Sequence, residues 1–314
     1  MGDTAGINHD NLVRWFDGQV GGVDGGLEFH LITGGRSNLT FTVSDGHGRR
    51  WVLRRPPMGH VLATAHDMAR EHRIISALAD SGVPVPSIVG LCEDEEVNGA
   101  PFYVMDFVPG LVVRDVSAAE ALPVEVRRRM GESLVEVLAR LHAVDLDAVG
   151  LSGLGRHDGY IERQLKRWRT QFVNATTREI PRVLEVHDLL AARVPTQQGV
   201  GIVHGDYRLD NMVLHPTEPK AIAVLDWELS TLGHPLSDLA NLLQPFTLPC
   251  PNPSAASDPD ELERSQKRGE FWFTLGGLSD EQSPIPTKDR LLKAYCSSAK
   301  REYPIPNWNF CEAW

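Results

Sequence analysis

Cysteine is scarce in this sequence: four residues, Cys92, Cys250, Cys296 and Cys311, with no close pair and no CxxC. That spacing argues against a zinc ribbon and against a secreted scaffold built on disulfides, and it fits a reducing cytoplasm. Long apolar runs are also missing. No stretch approaches 18 consecutive apolar residues, and the amino terminus has neither the basic start nor the apolar segment of an export signal. The expectation is therefore a cytoplasmic protein with no membrane partner. Gly6 stands where a myristoylation signal needs Ser or Thr. Positive charge is in short supply too, with 31 Lys and Arg against 42 Asp and Glu and a net charge of −11. A protein that holds nucleic acid by its phosphates carries the opposite sign, so nucleic acid is not an expected partner. What the chain has is apolar mass. Of its 314 residues 42% are hydrophobic, enough for one large domain or two unequal ones.

The pattern along the chain changes character near residue 107. Leu27, Phe29 and Leu31, then Leu39, Phe41 and Val43, then Trp51, Val52 and Leu53 alternate as short strands. Gly34-Gly35 and Asp45-Gly46-His47-Gly48 separate them, which predicts an antiparallel meander. Met68, Ile75 and Leu78 predict a helix over 66–79, stopped by Gly82. Phe102 to Met105 is a compact apolar strand. Beyond it the chain is mainly helical: Val126, Met130, Leu134, Val137 and Leu141 fall on one face, as do Ile161, Leu165, Trp168 and Phe172, and both read as helices packed on a core. Extended segments return at Ile202-Val203, Met212 to Leu214 and Ala221 to Leu225. Helices are expected from near Pro235, Pro259 and Thr287, with loops at 247–257 and 276–286. The apolar ending Asn309 to Trp314 reads as the start of further chain.

Polar groups crowd the ends of the later strands. His204-Gly205-Asp206-Tyr207-Arg208-Leu209-Asp210-Asn211 follows one apolar strand, and Asp226-Trp227-Glu228 closes another. Singly, such residues are ordinary turn formers. Together they match the needs of phosphoryl transfer, which requires neutralised polyphosphate charge and an oriented acceptor hydroxyl. Asn211 and Asp226 supply oxygen ligands for a hard cation such as magnesium. Asp206 is placed to accept the hydroxyl proton, and His204 to hold the loop.

The combined pattern, HGDxxxxN followed by DW, resembles the catalytic loop and metal-binding aspartate of the aminoglycoside phosphotransferase and choline kinase family. The resemblance implies an α+β, bilobal protein-kinase-like fold. A nucleotide-binding lobe, residues 1–107, would hold an antiparallel sheet with a helix, and a larger, mainly helical lobe, residues 108–314, would carry catalysis and the substrate. It also implies ATP and Mg2+ as cofactors, with Asp206 as base, Asn211 and Asp226 on the metal and His204 structural. Tyr207, Arg208 and Leu209 are filler in that signature, and Asp238 matches a buried helix aspartate that ties down the loop.

In the amino-terminal half the same resemblance places Gly34, Gly35, Arg36, Ser37 and Asn38 against the triphosphate. Arg54 stands where the family usually has a lysine for the α and β phosphates, with Glu71 as its partner. An arginine fork is not a lysine point charge, and this is the main departure from the broad kinase pattern. Val52, Met105, Phe107 and Leu214 are assigned to the adenine site, with ATP between the lobes. Val52-Leu53-Arg54-Arg55-Pro56-Pro57, Asp226-Trp227-Glu228 and Pro304 to Trp308 look closest to the branch of kinase-like domains fused to acyl-CoA dehydrogenases. The expected activity is transfer of the γ-phosphoryl group to a small-molecule hydroxyl, aminoglycoside-like or hydroxyacyl-CoA-like. Two readings compete: a nucleotide-binding pseudokinase or interaction protein, and a metal-dependent hydrolase built on His204, Asp206 and Asp226.

Overall fold

The computed structural model describes residues 5–23, 26–32, 38–59, 67–114, 118, 121–244 and 286–314. The chain forms two compact units, Met1–Pro109 with Ala223–Glu228, and Gly110–Ile222 with Leu229–Trp314.

In the first unit, helix α1 (His9–Val20) leads into strands β1 (Leu27–Leu31), β2 (Leu39–Asp45) and β3 (Arg50–Arg55). Helix α2 (Met68–Leu78), strand β4 (Ile88–Cys92), the short helix α3 (Glu95–Asn98) and strand β5 (Phe102–Asp106) follow. The sheet is antiparallel in the order β1-β2-β3-β5-β4, so the predicted meander forms its first three strands. Successive strand residues point to opposite faces. Phe41, Val43, Trp51, Leu53, Phe102 and Val104 share one face, and Leu12 and Phe16 of α1 complete that core. The other face carries Val52 paired with Met105 and Arg54 paired with Tyr103. The pleat thus puts Arg54 away from the α1 core and under α2, whose Glu71 side chain is 2% exposed.

Helix α2 matches the expected span. The Asp67 carboxylate caps it by accepting from the Arg70 N–H, and Gly82, in the left-handed region at φ +80°, follows its end. Helix α1 is not among the expected elements. Leu12 and Phe16, its buried residues, are one turn apart, but a polar helix with only one buried pair gives little periodic signal.

In the second unit α4 (Val124–His142), α5 (Tyr160–Ala175) and α6 (Pro181–Ala191) precede β6 (Gly201–Val203) and β7 (Met212–Leu214), and β8 (Ala221–Val224) begins there and ends in the first unit. Then come β9 (Thr231–Gly233), α7 (Leu236–Leu243), α8 (Lys288–Ser298) and α9 (Trp308–Ala313). Strand β6 pairs antiparallel with β9, and β7 pairs with β8. Met130, Leu134, Val137 and Leu141 of α4 are buried as the periodicity predicts.

Helix α5 departs from expectation. Ile161 and Leu165 are buried, whereas Trp168 is 42% exposed and stacks on Trp314 at 5.4 Å between ring centroids. Its apolar stripe reaches the core only in its first half. Helix α6 and strand β9 were not expected; α6 buries none of its residues and so carries no core stripe to read, and β9 is three residues long. The helices predicted from Pro235 and Thr287 form, whereas the one predicted from Pro259 and the loop at 247–257 lie outside the described residues, as does all but the last residue of the loop at 276–286. Cys92, Cys296 and Cys311 are buried free thiols; Cys250 also lies outside the described residues. Among the described residues no helix is long and apolar enough to cross a membrane. The architecture is the bilobal kinase-like one, an antiparallel sheet with helices followed by a mainly helical region.

Candidate active site

Four chain segments of the first unit converge on Arg54. Its Nε lies 3.1 Å from Glu71 Oε2, an ion pair without hydrogen-bond geometry. Its Nη2 donates to Asp226 Oδ1 and, at 3.1 Å, to Glu228 Oε2. Asn38 Nδ2 donates to Glu71 Oε1 at 3.1 Å and to Glu228 Oε2 at 3.0 Å, and the Tyr103 hydroxyl donates to Glu71 Oε2 at 3.0 Å. The guanidinium side chain is 11% exposed.

One buried cation therefore serves three carboxylates. Burial alone would lower the arginine pKa, but the groups around it, Tyr103, Glu71, Asp226 and Glu228, hold it well above its ordinary range. Glu71 is pushed up to about 7: burial raises it, Arg54 and the Tyr103 hydrogen bond pull it back, and Asp226 and Glu228 add to the rise. Asp226 itself sits in the left-handed region at φ +65°, a conformation that costs energy in a residue with a side chain and that marks functional turns. Beside it Trp227 is buried, its indole N–H donating to Val224 O at 3.0 Å.

The segment 204–211 belongs to the second unit, where it is held by its backbone. Asp238 of α7, 1% exposed, accepts the His204 N–H at 2.6 Å and the Gly205 N–H at 2.9 Å. His142 Nε2 lies 3.5 Å from the same carboxylate, and its Nδ1 is 2.8 Å from the Tyr295 hydroxyl. Ser230 Oγ donates to the His204 carbonyl at 3.1 Å. Gly205 is required: its φ is +87°, and a Cβ there would stand 2.9 Å from Leu229 O.

His204 is fully buried, and its Nδ1 accepts the Asp206 N–H at 3.2 Å. The Asn211 amide nitrogen donates to Asp206 O at 2.9 Å and to Asp206 Oδ2 at 2.8 Å, which leaves the amide oxygen as the group able to meet a cation. The Asp206 side chain is 35% exposed, with Arg208 Nε 3.8 Å from its Oδ1; Arg208 also pairs with Asp210.

The structure corrects the reading of Tyr207 and Leu209 as filler. Tyr207 is fully buried with its hydroxyl donating to Leu134 O at 2.8 Å, and Leu209 is 2% exposed. These buried anchors leave Arg208 between them partly exposed.

The remaining expected residues fall as follows. Val52 and Met105 sit opposite each other on the Arg54 face of the sheet. Phe107 donates its N–H to Arg50 O, and the Arg50 guanidinium lies 3.6 Å from the centre of its ring. Leu214 lies in the second unit, bridged by its backbone to Leu111. Gly34, Gly35, Arg36 and Ser37 lie outside the described residues. Tyr103, Ser230, His142 and Tyr295 support the site without having been singled out from the sequence. Tyr103 reads there only as core strand, and the other three gain their meaning through partners 26 to 153 positions away.

The "Phosphotransferase enzyme family" model matches residues 28–267. Acyl-CoA dehydrogenase family member 10 of Mus musculus is 36% identical over 98% of this chain and 27% of its own length. Acyl-CoA dehydrogenase family member 11 of Homo sapiens is 37% identical over 88% of the chain and 33% of its length. The chain thus spans about a third or less of these curated relatives. Among solved structures, a Ralstonia eutropha JMP134 protein provisionally assigned as an aminoglycoside phosphotransferase is 35% identical, with a TM-score of 0.78 over 96% of this chain and 83% of that one. The macrolide 2′-phosphotransferase of Brachybacterium faecium shares the fold, with a TM-score of 0.61 at 22% identity over 97% of this chain and 88% of that one. With the fold and the family model in agreement, the chain belongs to the phosphotransferase enzyme family, and it is similar in sequence to part of the acyl-CoA dehydrogenase family members.

Proposed function

We propose that this chain is an ATP- and magnesium-dependent kinase that transfers the γ-phosphoryl group to a hydroxyl of a small molecule. The observation that carries the reading is the meeting of Arg54, Glu71 and Asp226, brought from β3, α2 and a turn 172 residues after Arg54. A buried cation gripped by a helix glutamate, beside an aspartate in a strained turn, suits polyphosphate binding.

Residues 1–107 are assigned to the nucleotide and 108–314 to catalysis and the acceptor, and Asp226, which packs with the first unit, joins the nucleotide side. Arg54 contacts the α and β phosphates, and Glu71 orients it. The 34–38 segment is assigned to the triphosphate, and Val52, Met105, Phe107 and Leu214 are assigned to the base.

Asn211 and Asp226 are the metal ligands, and the donor set fits. One carboxylate and one amide oxygen are hard ligands, and magnesium commonly takes one or two carboxylates and completes its octahedron with water and phosphate. When bound, the cation neutralises charge on the transferred group. Asp206, half exposed on a loop fixed from beneath, orients the acceptor hydroxyl and takes its proton. His204 holds that loop and is not a reactant.

The hydrolase reading would use His204 as a metal ligand, but its ring is fully buried and its Nδ1 accepts from the Asp206 N–H. Among the described residues no three His, Cys, Asp or Glu side chains group as a metal site. The curated relatives are named as acyl-CoA dehydrogenase family members, which supports a CoA thioester, carrying a hydroxyl, as acceptor; Lys166, Arg167 and Arg169 of α5 are exposed and available to an anionic substrate.

The test is mass-spectrometric detection of phosphorylated product from magnesium ATP across aminoglycosides, choline-like alcohols, sugars and hydroxyacyl-CoA esters. A gain of one phosphate in one class, lost without magnesium, supports the reading. Nucleotide binding with no product in any class would favour a pseudokinase.

A further inference from the structure

We propose that Glu228, held by Asn38, is a positioning residue that selects which edge of Arg54 faces the nucleotide; this rests on the kinase reading above. A lysine at this place would present one nitrogen that turns freely. An arginine presents five N–H groups in a rigid plane, so the fork must be held in one orientation before it can grip phosphate.

The arrangement supplies that constraint from three sides. Nε faces Glu71 at 3.1 Å. Both hydrogens of Nη2 are used, one by Asp226 Oδ1 and one by Glu228 Oε2. Nη1 has no hydrogen-bond partner among the described residues, so its two N–H groups are the edge left for an anionic oxygen. Asn38 Nδ2 spans Glu71 Oε1 and Glu228 Oε2, fixing the two carboxylates relative to each other at the two ends of the guanidinium. With its side chain 16% exposed, Glu228 is more enclosed than Asp226 at 31%.

The proposal has a sign that simple electrostatics does not share. Glu228 adds a negative charge near a site for polyphosphate, so on charge alone its removal would tighten nucleotide binding. On positioning, what matters is an acceptor oxygen at the right reach. Two substitutions separate these effects. Glu228→Gln removes the charge and keeps an acceptor oxygen in place; Glu228→Asp keeps the charge and falls one methylene short of Nη2.

The experiment is calorimetric titration of the full chain with magnesium ADP, with the thermal midpoint recorded for each variant. Glu228→Gln is expected to bind within about threefold of the unsubstituted chain, and Glu228→Asp about tenfold more weakly, as loss of one charge-assisted hydrogen bond implies. In an Arg54→Lys background, where no fork needs orienting, Glu228→Asp is expected to change affinity by less than about twofold. Equal losses in both backgrounds, or tighter binding by Glu228→Gln with Glu228→Asp unchanged, overturn the assignment. If the unsubstituted chain takes up no magnesium ADP, the kinase reading fails and takes this inference with it. If it binds and Glu228→Asp binds equally well, only the role of Glu228 falls.

Discussion

The Arg54 cluster and the 204–211 loop are held by opposite means. Side-chain charges from β3, α2, the residue before β2 and the turn after β8 build the first, with partners as far apart as Asn38 and Glu228, 190 positions. Backbone N–H groups bonded to one buried carboxylate, and two buried anchors at Tyr207 and Leu209, build the second. An ion cluster answers to charge and pH; a loop fixed through its backbone answers to the loss of a single acceptor. On the proposed reading, binding and transfer rest on scaffolds that fail differently.

The largest effect is expected at Asp238. Replacing it with Ala leaves the buried His204 N–H and the partly buried Gly205 N–H without their acceptor, a cost of about 2 to 6 kcal/mol at roughly 1 to 3 per unsatisfied group. Chemical denaturation would measure it, and a loss below about 1 kcal/mol would mean the loop is held by something else.

Arg54→Met comes next. It strips the cation from three carboxylates, and breaking a buried pair costs about 3 to 5 kcal/mol when the remaining charge cannot relax. Here Glu71 can take up a proton, so the deficit should be smaller at pH 6 than at pH 8. A pH-independent deficit would contradict the cluster as described.

Tyr207→Phe removes the donor to Leu134 O and should cost about 1 to 2 kcal/mol. Because it loosens the loop and not the cluster, transfer should fall while affinity for magnesium ADP holds. A parallel fall in both would blur the distinction between the two scaffolds.

The smallest effect is one of slope. The Glu71 carboxyl keeps its proton to about pH 7 in the folded chain, against an ordinary value of 4.5. Between those values the native state binds the extra proton, so this group's contribution to stability is full below about 4.5 and is lost as pH rises through 7. Glu71→Gln, which cannot titrate, should flatten the pH dependence of the thermal midpoint over that window. An unchanged slope would show that the carboxyl is ionised throughout.

Much of the loop and of the sheet was legible in the sequence because each rests on local pattern. Alternation set the three strands of the meander, and the spacing of His204, Asp206 and Asn211 placed the polar groups in one turn. Arg54 and Glu71 were paired only through family resemblance. What the chain hides is what long-range packing decides. Asn38 reads as part of a glycine turn, yet its amide lies buried between two glutamates. Tyr103 reads as core, yet its hydroxyl serves Glu71. Helix α1 has too narrow an apolar stripe to stand out, and α6 has no buried residue at all. Trp168 follows the helical period and still lies half in solvent, because periodicity gives a face but not the extent of what covers it.

The most direct test of the account places Asp206→Asn beside Asp226→Asn and measures two quantities for each: affinity for magnesium ADP and the rate of phosphoryl transfer to whichever acceptor the screen identifies. Asp206→Asn should bind the nucleotide as the unsubstituted chain does while transfer drops by about a hundredfold or more, and Asp226→Asn should lose magnesium-dependent binding itself. Two variants that lose binding together, or transfer that persists in Asp206→Asn, would contradict it.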